Sequence, residues 1–327
     1  MKKIVLVVFA IAIVFLNGCT SSKKKNQEID KIKVAQFGKV FIYMPVYLAD
    51  IKGFFKEEGI EIELISTGGD DKTYAALISG SAVFGVADPT FVAIAAERGQ
   101  KGKVIASIVN GVPFWGVAVS DRVPGITNPK MLKGFSVATF PSPSTAYVLQ
   151  KKMFINAGLK PDIKQGAFGS LLPMLLTGQV DIALELEPNV STAIKKNHAR
   201  VLYSLAKIYG NFALTGVTVL DKTIKENHDL VQRFVNALQK AETYAHTYPD
   251  SAAFYAQKVF PDMDKEIIKN AMARIIKSNT LPKSVVISND AWKKALNLRY
   301  EIGDLKSVNE ALNVLDNRFA IKATQSK

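Results

Sequence analysis

Residues 73–89, TYAALISGSAVFGVADP, decide the fold, because residues 175–188, LLTGQVDIALELEP, repeat the same pattern about one hundred residues later. Each stretch passes from a short helix that ends at a glycine, through an apolar strand, to an acidic residue followed by proline. Gly80 and Gly178 are 98 residues apart, and the glycines that end the preceding helices are 99 residues apart. These spacings predict two similar α/β lobes in tandem, although glycine helix stops are generic and any two α/β units share part of this pattern.

Strand and helix patterns alternate outward from both stretches, starting at residue 31 and again at residue 135. A further strand at 212–220 is followed only by helical patterns. This order predicts an α/β fold with two lobes, a parallel-rich sheet in each lobe, and extra C-terminal helices. The predicted strands include 32–38, 135–140 and 163–168. The expected division is a signal at 1–19, a tether at 20–30, lobe 1 at 31–119 and 210–327, and lobe 2 at 120–209, with crossings near 117–121 and 208–216.

The N-terminal segment has the pattern of an export signal. Two lysines precede an apolar run of 13 residues, Ile4 to Leu16, which is shorter than the ~20 residues that a membrane span needs. The run ends in Leu16-Asn17-Gly18-Cys19, which resembles a bacterial lipobox and contains the single cysteine of the chain. We therefore expect an exported protein whose membrane anchor is a lipid on Cys19, held at the outer face of the cytoplasmic membrane or in the periplasm. The alternative is an ordinary secretory signal with an incidental cysteine.

The net charge of +13 raises the question of nucleic-acid binding. Five lysines and no acidic residue lie in residues 1–27, so residues 28–327 hold 37 basic and 29 acidic groups, a net charge of +8. After Lys23 to Lys25 no basic run is longer than two residues, and no nucleic-acid-binding motif occurs. The sequence therefore predicts a solvated basic surface and no nucleic-acid partner.

The motifs of common catalytic and cofactor sites do not occur in the sequence. The three histidines have no metal-ligand spacing, and the single cysteine provides no thiolate cluster. No Gly-x-Ser-x-Gly elbow, no Gly-x-Gly-x-x-Gly motif and no P-loop occurs. We therefore expect no catalytic residue, no metal, no cofactor and no enzyme activity.

Candidate ligand-binding residues lie where the predicted strands end, since ligands of α/β sheets bind beyond the carboxyl ends of the strands. Tyr43, Phe114 and Trp115 are aromatic residues predicted to lie in loops, where they could stack on a planar ligand. The alternative is that they cover the core or the interface between the lobes.

Polar candidates occupy the same kind of position. Ser142, Ser144 and Thr145 open a predicted helix, whose exposed N–H groups and hydroxyls favour an anion or a polar acceptor. The alternative is a plain helix cap at Ser144. Asp88 and Glu187 occupy matching places before a proline, where each could accept a hydrogen bond from a ligand amine or could instead cap the following helix.

Taken together, five stretches resemble the ABC-transporter substrate-binding lipoproteins of the nitrate/sulfonate/taurine and thiamine-pyrimidine-precursor group. The stretches are YMPVYLADIKGFFKEEGIEIEL, TYAALISGSAVFGVADP, ITNPKMLKGFSVAT, SPSTAYVLQKKMFINAGL and LLTGQVDIALELEP, which lie within residues 31–220. The resemblance implies a type II-like periplasmic-binding-protein fold whose lobes close on a small-molecule ligand. It also implies delivery to an ABC permease driven by its ATPase, and ligand contacts at the eight candidate residues. A monomer is expected.

The sequence departs from the sulfonate binders of this group at the predicted helix start. Pro141 and Pro143 flank Ser142 and reduce the number of N–H donors, and no arginine occurs in the candidate loops. We therefore expect a thiamine-pyrimidine-like or other heteroaromatic solute before a sulfonate, taurine or nitrate. Pyrimidine-synthase relatives of this fold have a Cys-rich active-site motif that this chain lacks. A membrane-anchored α/β enzyme and a ligand-sensing module for a membrane receptor are the alternatives.

Overall fold

The computed structural model describes residues 29–325. The predicted signal, Cys19 and all but the last two residues of the predicted tether lie outside the described residues. Between residues 29 and 325, no helix combines the length and the apolar character needed to cross a bilayer.

Within residues 29–325, ten strands form two five-stranded sheets. In chain order they are β1 (Asp30–Gln36), β2 (Ile60–Ser66), β3 (Phe84–Ala87), β4 (Gly102–Asn110), β5 (Trp115–Ala118), β6 (Val137–Thr139), β7 (Ile163–Gln165), β8 (Ile182–Glu185), β9 (Arg200–Ser204) and β10 (Ala213–Leu220).

In the part of the chain that the structure describes, fifteen α-helices surround the sheets. They are α1 (Met44–Ile51), α2 (Phe54–Glu57), α3 (Asp70–Ile78), α4 (Thr90–Ala96), α5 (Thr145–Asn156), α6 (Leu171–Leu176), α7 (Asn189–Asn197), α8 (Leu205–Tyr209), α9 (Asp221–Glu226), α10 (His228–Thr247), α11 (Pro249–Val259), α12 (Lys265–Lys277), α13 (Asn289–Glu301), α14 (Val308–Ala311) and α15 (Arg318–Gln325). Short 3-10 helices occupy Phe41–Tyr43, Pro129–Leu132 and Leu312–Val314.

The two sheets have the same topology. The first has the order β2-β1-β3-β10-β4 and the second has the order β7-β6-β8-β5-β9. In each sheet the first three strands are parallel, and the fourth strand is antiparallel to both of its neighbours. The predicted α/β class and the two lobes are therefore confirmed, and each sheet is mixed, with two parallel and two antiparallel strand pairings. The repeated pattern extends to strand order.

The antiparallel strand of each sheet, β10 in the first and β5 in the second, follows a chain segment that comes from the other lobe. β4 ends at Asn110 in the first sheet and β5 starts at Trp115 in the second, so the first crossing occupies residues 111–114. Residues 115–118, which we expected in lobe 1, therefore belong to lobe 2. Their apolar side chains suited either sheet, and the turn-rich residues that follow them suggested a later boundary. The return crossing joins α8 to β10, and Asn110 donates a hydrogen bond to Asn211 across the two crossings at 3.0 Å.

Local sequence explains where several elements end. Gly53, at φ +79°, has a left-handed conformation that other residues rarely adopt, and it separates α1 from α2. β3 and β8 lie inside their sheets and are buried along their whole length, which explains the apolar run of β3 and the apolar residues 182–184 of β8. No strand was predicted from the sequence at the position of β9.

The C-terminal helices cover the first lobe and reach the second. α10 packs on α1, α2 and α15, while α11 packs on α1 and on α12. α12 then contacts α7 of the second lobe, and α13 packs on β10 and α4. Lys195 at the end of α7 forms ion pairs of 2.7 Å with Asp264 and with Glu266 at the start of α12. The C-terminal helices therefore connect the lobes a second time, without a chain crossing.

Candidate functional site

A cavity of about 460 Å³ lies between the two lobes. Most of its wall is formed by the segments that follow the carboxyl ends of β1, β2 and β3 in the first lobe and of β6, β7 and β8 in the second, and the first crossing, β10 and α13 complete it. This is the position where ligands of α/β sheets bind. The cavity therefore depends on both lobes, and its shape depends on how they are arranged.

Asp88 and Arg299 form a buried ion pair in the wall of the cavity. The Arg299 Nη2 group donates to Asp88 Oδ2 at 2.6 Å, and the two side chains are 5% and 10% exposed. The other carboxylate oxygen of Asp88 accepts hydrogen bonds from the backbone N–H and the hydroxyl of Thr90, at 2.9 and 2.5 Å. Asp88 therefore caps the start of α4 and pairs with arginine at the same time.

Arg299 also connects the lobes. Its Nη1 group donates to the backbone carbonyl of Pro143 in the second lobe at 3.3 Å and to Asp304 at 3.3 Å, while its Nε group donates to Thr90 at 3.1 Å. Its guanidinium carbon lies 5.3 Å from the ring centre of Phe91. A guanidinium has five N–H donors, and four of them are accounted for by these contacts and the Asp88 bond.

Asp70, at the start of α3, adds a second carboxylate to the cavity. Its Oδ1 atom accepts a hydrogen bond from the backbone N–H of Asp88 at 3.0 Å. Burial, and then the charge of Asp88, raise the pKa of Asp70 to about 6. Burial and the charge of Asp70 also raise the pKa of the neighbouring Tyr43 phenol well above its usual value. The polar end of the cavity therefore holds two carboxyl groups, a neutral phenol and one arginine.

Aromatic side chains form the rest of the wall on both sides. Phe37 and Tyr43 come from the first lobe, and Phe114, Phe140 and Phe168 come from the second. Phe140 packs against Phe114 at a centroid distance of 5.7 Å and stacks with Phe168 at 6.1 Å. Phe168 remains 58% exposed. An exposed phenylalanine beside an apolar wall offers a face on which a planar ligand can stack.

The structure brings five of the eight candidate residues into this cavity: Tyr43, Asp88, Phe114, Ser144 and Thr145. Ser144 also caps α5, because its hydroxyl oxygen accepts a hydrogen bond from the backbone N–H of Tyr147 at 3.3 Å. Both interpretations of this serine therefore remain compatible with its position, and its contact with a ligand stays a prediction.

The other three candidates lie outside this cavity. Ser142 is exposed, and its backbone N–H donates to Gln165 at 2.7 Å. Trp115 starts β5 instead of lying in a loop, and it lines a different cavity. Glu187 is fully buried, where it accepts hydrogen bonds from Arg274 Nε at 2.6 Å and from both the backbone N–H and the hydroxyl of Ser191, at 3.0 and 2.8 Å. Glu187 therefore caps α7 and pairs with an arginine, as Asp88 does in the first lobe.

Thirteen residues of the cavity were not among the candidates, and five of these are aromatic or charged: Phe37, Asp70, Phe140, Phe168 and Arg299. The three phenylalanines follow the ends of β1, β6 and β7, and Asp70 starts α3, after the end of β2. Arg299 comes from α13, and no local pattern connects it with the loops. The site therefore contains an arginine, although none occurs in the candidate loops, and Asp88 and Asp304 balance its charge.

Residues 29–325 contain no cluster of three or more histidine, cysteine, aspartate or glutamate side chains that could hold a metal ion.

Sequence comparison identifies related proteins over most of the chain. A family model described as NMT1/THI5 like matches residues 41–252. YtlA of Bacillus subtilis (strain 168), provisionally named a binding protein, is 26% identical over 326 residues, which cover 96% of each chain. The 4-amino-5-hydroxymethyl-2-methylpyrimidine phosphate synthase of Candida albicans (strain WO-1) is 25% identical over 227 residues, which cover 64% of this chain and 65% of that enzyme.

Solved structures share the fold. The alkanesulfonate-binding protein SsuA of Xanthomonas axonopodis pv. citri, bound to MOPS, has a TM-score of 0.69 and 16% identity, covering 89% of this chain and 99% of its own. The periplasmic nitrate-binding protein NrtA of Synechocystis PCC 6803 has a TM-score of 0.67 and 14% identity, covering 91% of this chain and 89% of its own. At these identities the likeness concerns the fold alone, which is the two-lobed periplasmic-binding-protein fold that the resemblance implied.

Proposed function

The chain belongs to the NMT1/THI5-like family, and on that premise we propose that it is the extracytoplasmic solute-binding component of an ABC importer. It holds a small molecule in the cavity between the lobes and delivers it to a membrane permease driven by an ATPase. The observation that carries the proposal is the cavity of about 460 Å³, whose walls come from both lobes. A ligand there contacts both lobes at once, so that binding and lobe closure favour each other.

The ligand that fits this cavity best is a small heteroaromatic solute similar to the pyrimidine precursor of thiamine. Aromatic side chains of both lobes offer stacking surfaces for a planar ring. Asp70 is available to accept a hydrogen bond from a ring N–H or an exocyclic amine, because Arg299 pairs with Asp88 instead. Sulfonates, taurine and nitrate come next, since most donors of Arg299 already have acceptors and the two carboxyl groups disfavour a further anion.

A screen of small molecules tests this assignment. We expect aminopyrimidines to raise the melting temperature, since a ligand at 100 times its Kd stabilises the folded state by about 2.7 kcal/mol. Taurine, an alkanesulfonate, nitrate and amino acids form the comparison set, and calorimetric titration then gives the affinity of each hit. Tight binding of a sulfonate with no response to any pyrimidine would overturn the ligand assignment while leaving the binding function intact.

An enzyme is the second candidate, because one relative is named as a synthase. Pyrimidine synthases of this fold have a Cys-rich active-site motif, as the resemblance implied, whereas this chain has one cysteine, at position 19. The importer proposal predicts that a bound pyrimidine is recovered unchanged after denaturation of the complex. Conversion of the ligand during prolonged incubation with purified protein would favour the enzyme instead. A ligand sensor is distinguished by its genes, because an importer is encoded beside a permease and an ATPase.

The proposed location is the outer face of the cytoplasmic membrane or the periplasm, with a lipid on Cys19 as the anchor and with residues 20–30 as the tether. The motif Leu16-Asn17-Gly18-Cys19 supports this proposal. Cys19→Ser is expected to move the protein from the membrane fraction to the soluble extracytoplasmic fraction, or to leave an unprocessed precursor. Membrane retention of a processed Cys19→Ser protein would rule out the lipid anchor. Sedimentation of the soluble form tests the proposal that the protein is a monomer.

A further inference from the structure

A second cavity, of about 670 Å³, lies between the second lobe and α12. Its walls are formed by β5, α7, the end of β9 and α8 on one side and by α12 on the other. Phe114 lines the first cavity and the next residue, Trp115, lines the second. The two cavities are therefore separate but adjacent, and both have a lining residue where β5 starts.

Three cationic side chains line this second cavity: Lys207 of α8, and Arg274 and Lys277 of α12. Neither Lys207 nor Lys277 forms an ion pair with any residue in the range 29–325. The carboxylate of Glu187 is engaged by Arg274 Nε at 2.6 Å, and it is fully buried. The cavity wall therefore has an excess of about two positive charges, and the excess is on residues without counter-ions in the described chain.

Free hydrogen-bond donors accompany the charge. Within the described residues, the Nη groups of Arg274 have no hydrogen-bond acceptor, since its single bond uses Nε. The Ser204 hydroxyl oxygen accepts from the backbone N–H of Lys207 at 3.3 Å, which leaves the hydroxyl hydrogen free to donate. Trp115, which is 3% exposed, adds an apolar surface.

We propose that this cavity is a binding site for a small oxyanion, of the phosphate or sulfate class, distinct from the solute site. Arginine and lysine donors with a serine hydroxyl are the groups that hold such ions in proteins. The volume of the cavity exceeds that of a single oxyanion, and Trp115 offers an apolar surface to a ring or alkyl group attached to the anion. The site is therefore defined by the oxyanion group, which a free ion and an organic phosphate have in common.

A bound anion contacts both lobes. Lys207 and Ser204 belong to the second lobe, whereas Arg274 and Lys277 lie on α12, which is joined to the first lobe through α11. An oxyanion between them opposes separation of α8 from α12, because separation would leave the lysines and the anion unpaired.

Fluorescence of Trp115 tests the proposal. The chain has two tryptophans, and the indole N–H of the buried Trp292 has no hydrogen-bond partner in the described structure, so Trp292→Phe removes the second emitter without breaking a hydrogen bond. The full-length protein with this substitution is titrated with inorganic phosphate and with phenyl phosphate, against sodium chloride at the same ionic strength. We expect a saturable change in Trp115 emission with the phosphates and none with chloride.

Charge-matched variants localise the effect. Lys207→Ala/Lys277→Ala is expected to weaken phosphate binding at least tenfold, whereas Lys222→Ala/Lys225→Ala, which removes the same charge from exposed positions on α9, leaves it unchanged within twofold. Tighter binding of phenyl phosphate would indicate an organic phosphate as the natural occupant, and tighter binding of inorganic phosphate a free ion; both support the site. A phosphate response no larger than that of chloride, or equal losses in both double variants, would overturn the proposal.

Discussion

Replacing Arg299 by methionine is expected to destabilise the protein more than any other single change at the wall of the cavity between the lobes. Methionine keeps much of the side-chain length but removes every donor. Asp88 is then left as a buried carboxylate whose strongest partner, at 2.6 Å, is gone. Removing one partner of a buried ion pair typically costs about 3–5 kcal/mol, and Arg299→Met falls in this range because both side chains are at most 10% exposed.

The assay is urea unfolding at pH 7 of the wild type, Arg299→Met, Asp88→Asn and the double variant. Asparagine keeps the shape of Asp88 and its ability to cap α4 through Thr90. We expect the double variant to be more stable than the sum of the single changes predicts, by about 1–3 kcal/mol. An unchanged dependence of the unfolding free energy on urea confirms that the same transition is being compared.

An exposed pair provides the control. Lys269 and Asp250 are 3.1 Å apart, and their side chains are 66% and 85% exposed. Lys269→Met is expected to cost at most about 1 kcal/mol. If Arg299→Met cost no more than Lys269→Met, or if the effects of the two single changes at the buried pair simply added, burial would not determine the strength of this interaction and the reasoning would be refuted.

The remaining predictions concern three other side chains. Burial, and then the charge of Asp88, raise the pKa of Asp70 to about 6 from an ordinary 3.8. The protonated Asp70 therefore stabilises the folded state fully below pH 3.8, and this contribution is lost as the pH rises through 6. The unfolding free energy of the wild type, measured by urea titration, should thus fall by about 2 kcal/mol between pH 4 and 7. Asp70→Asn should remove this fall, and an identical dependence on pH in both proteins would contradict the prediction. Phe168→Ala should weaken pyrimidine binding about two- to tenfold in calorimetry, yet change the unfolding free energy by less than about 0.5 kcal/mol, since it is 58% exposed. Glu187→Gln should cost about 3 kcal/mol through its pair with Arg274; lost solute affinity at unchanged stability would instead place it at the ligand.

The α/β order was predictable because its signals are local. A glycine that ends a helix and an apolar run that fills a buried strand depend on a few neighbouring residues. The position of β10 between β3 and β4, by contrast, depends on partners more than one hundred residues away. The strand itself was predicted at 212–220, but its antiparallel pairing in the first sheet had no local signal.

The aromatic wall of the cavity was missed for a specific reason. The predicted strands 32–38, 135–140 and 163–168 extend one to three residues past the observed ends of β1, β6 and β7. Phe37, Phe140 and Phe168 lie in that difference, since an aromatic residue prolongs an apolar run whether it lies in the strand or beyond it. Shorter strands would have assigned these side chains to the ligand loops.

Matching sequence did not imply matching surroundings. Asp88 and Glu187 both precede proline, both cap a helix, and both pair with an arginine, yet only Asp88 lines the solute cavity. Arg299 pairs with Asp88 from 211 residues away and Arg274 pairs with Glu187 from 87 residues away. The chemistry of each carboxylate was therefore predictable, but the arginine partner and the cavity were not.

The insertion of β10 into the first sheet also affects the order of folding. All strands of the second sheet lie within residues 115–204, so this lobe can assemble before the last third of the chain has been released. The first sheet has no link between β3 and β4 until residues 213–220 arrive. During vectorial synthesis, the apolar edge of β3 therefore remains unpaired until β10 is available, which exposes the N-terminal lobe to aggregation. The lobe that is made first is thus completed last.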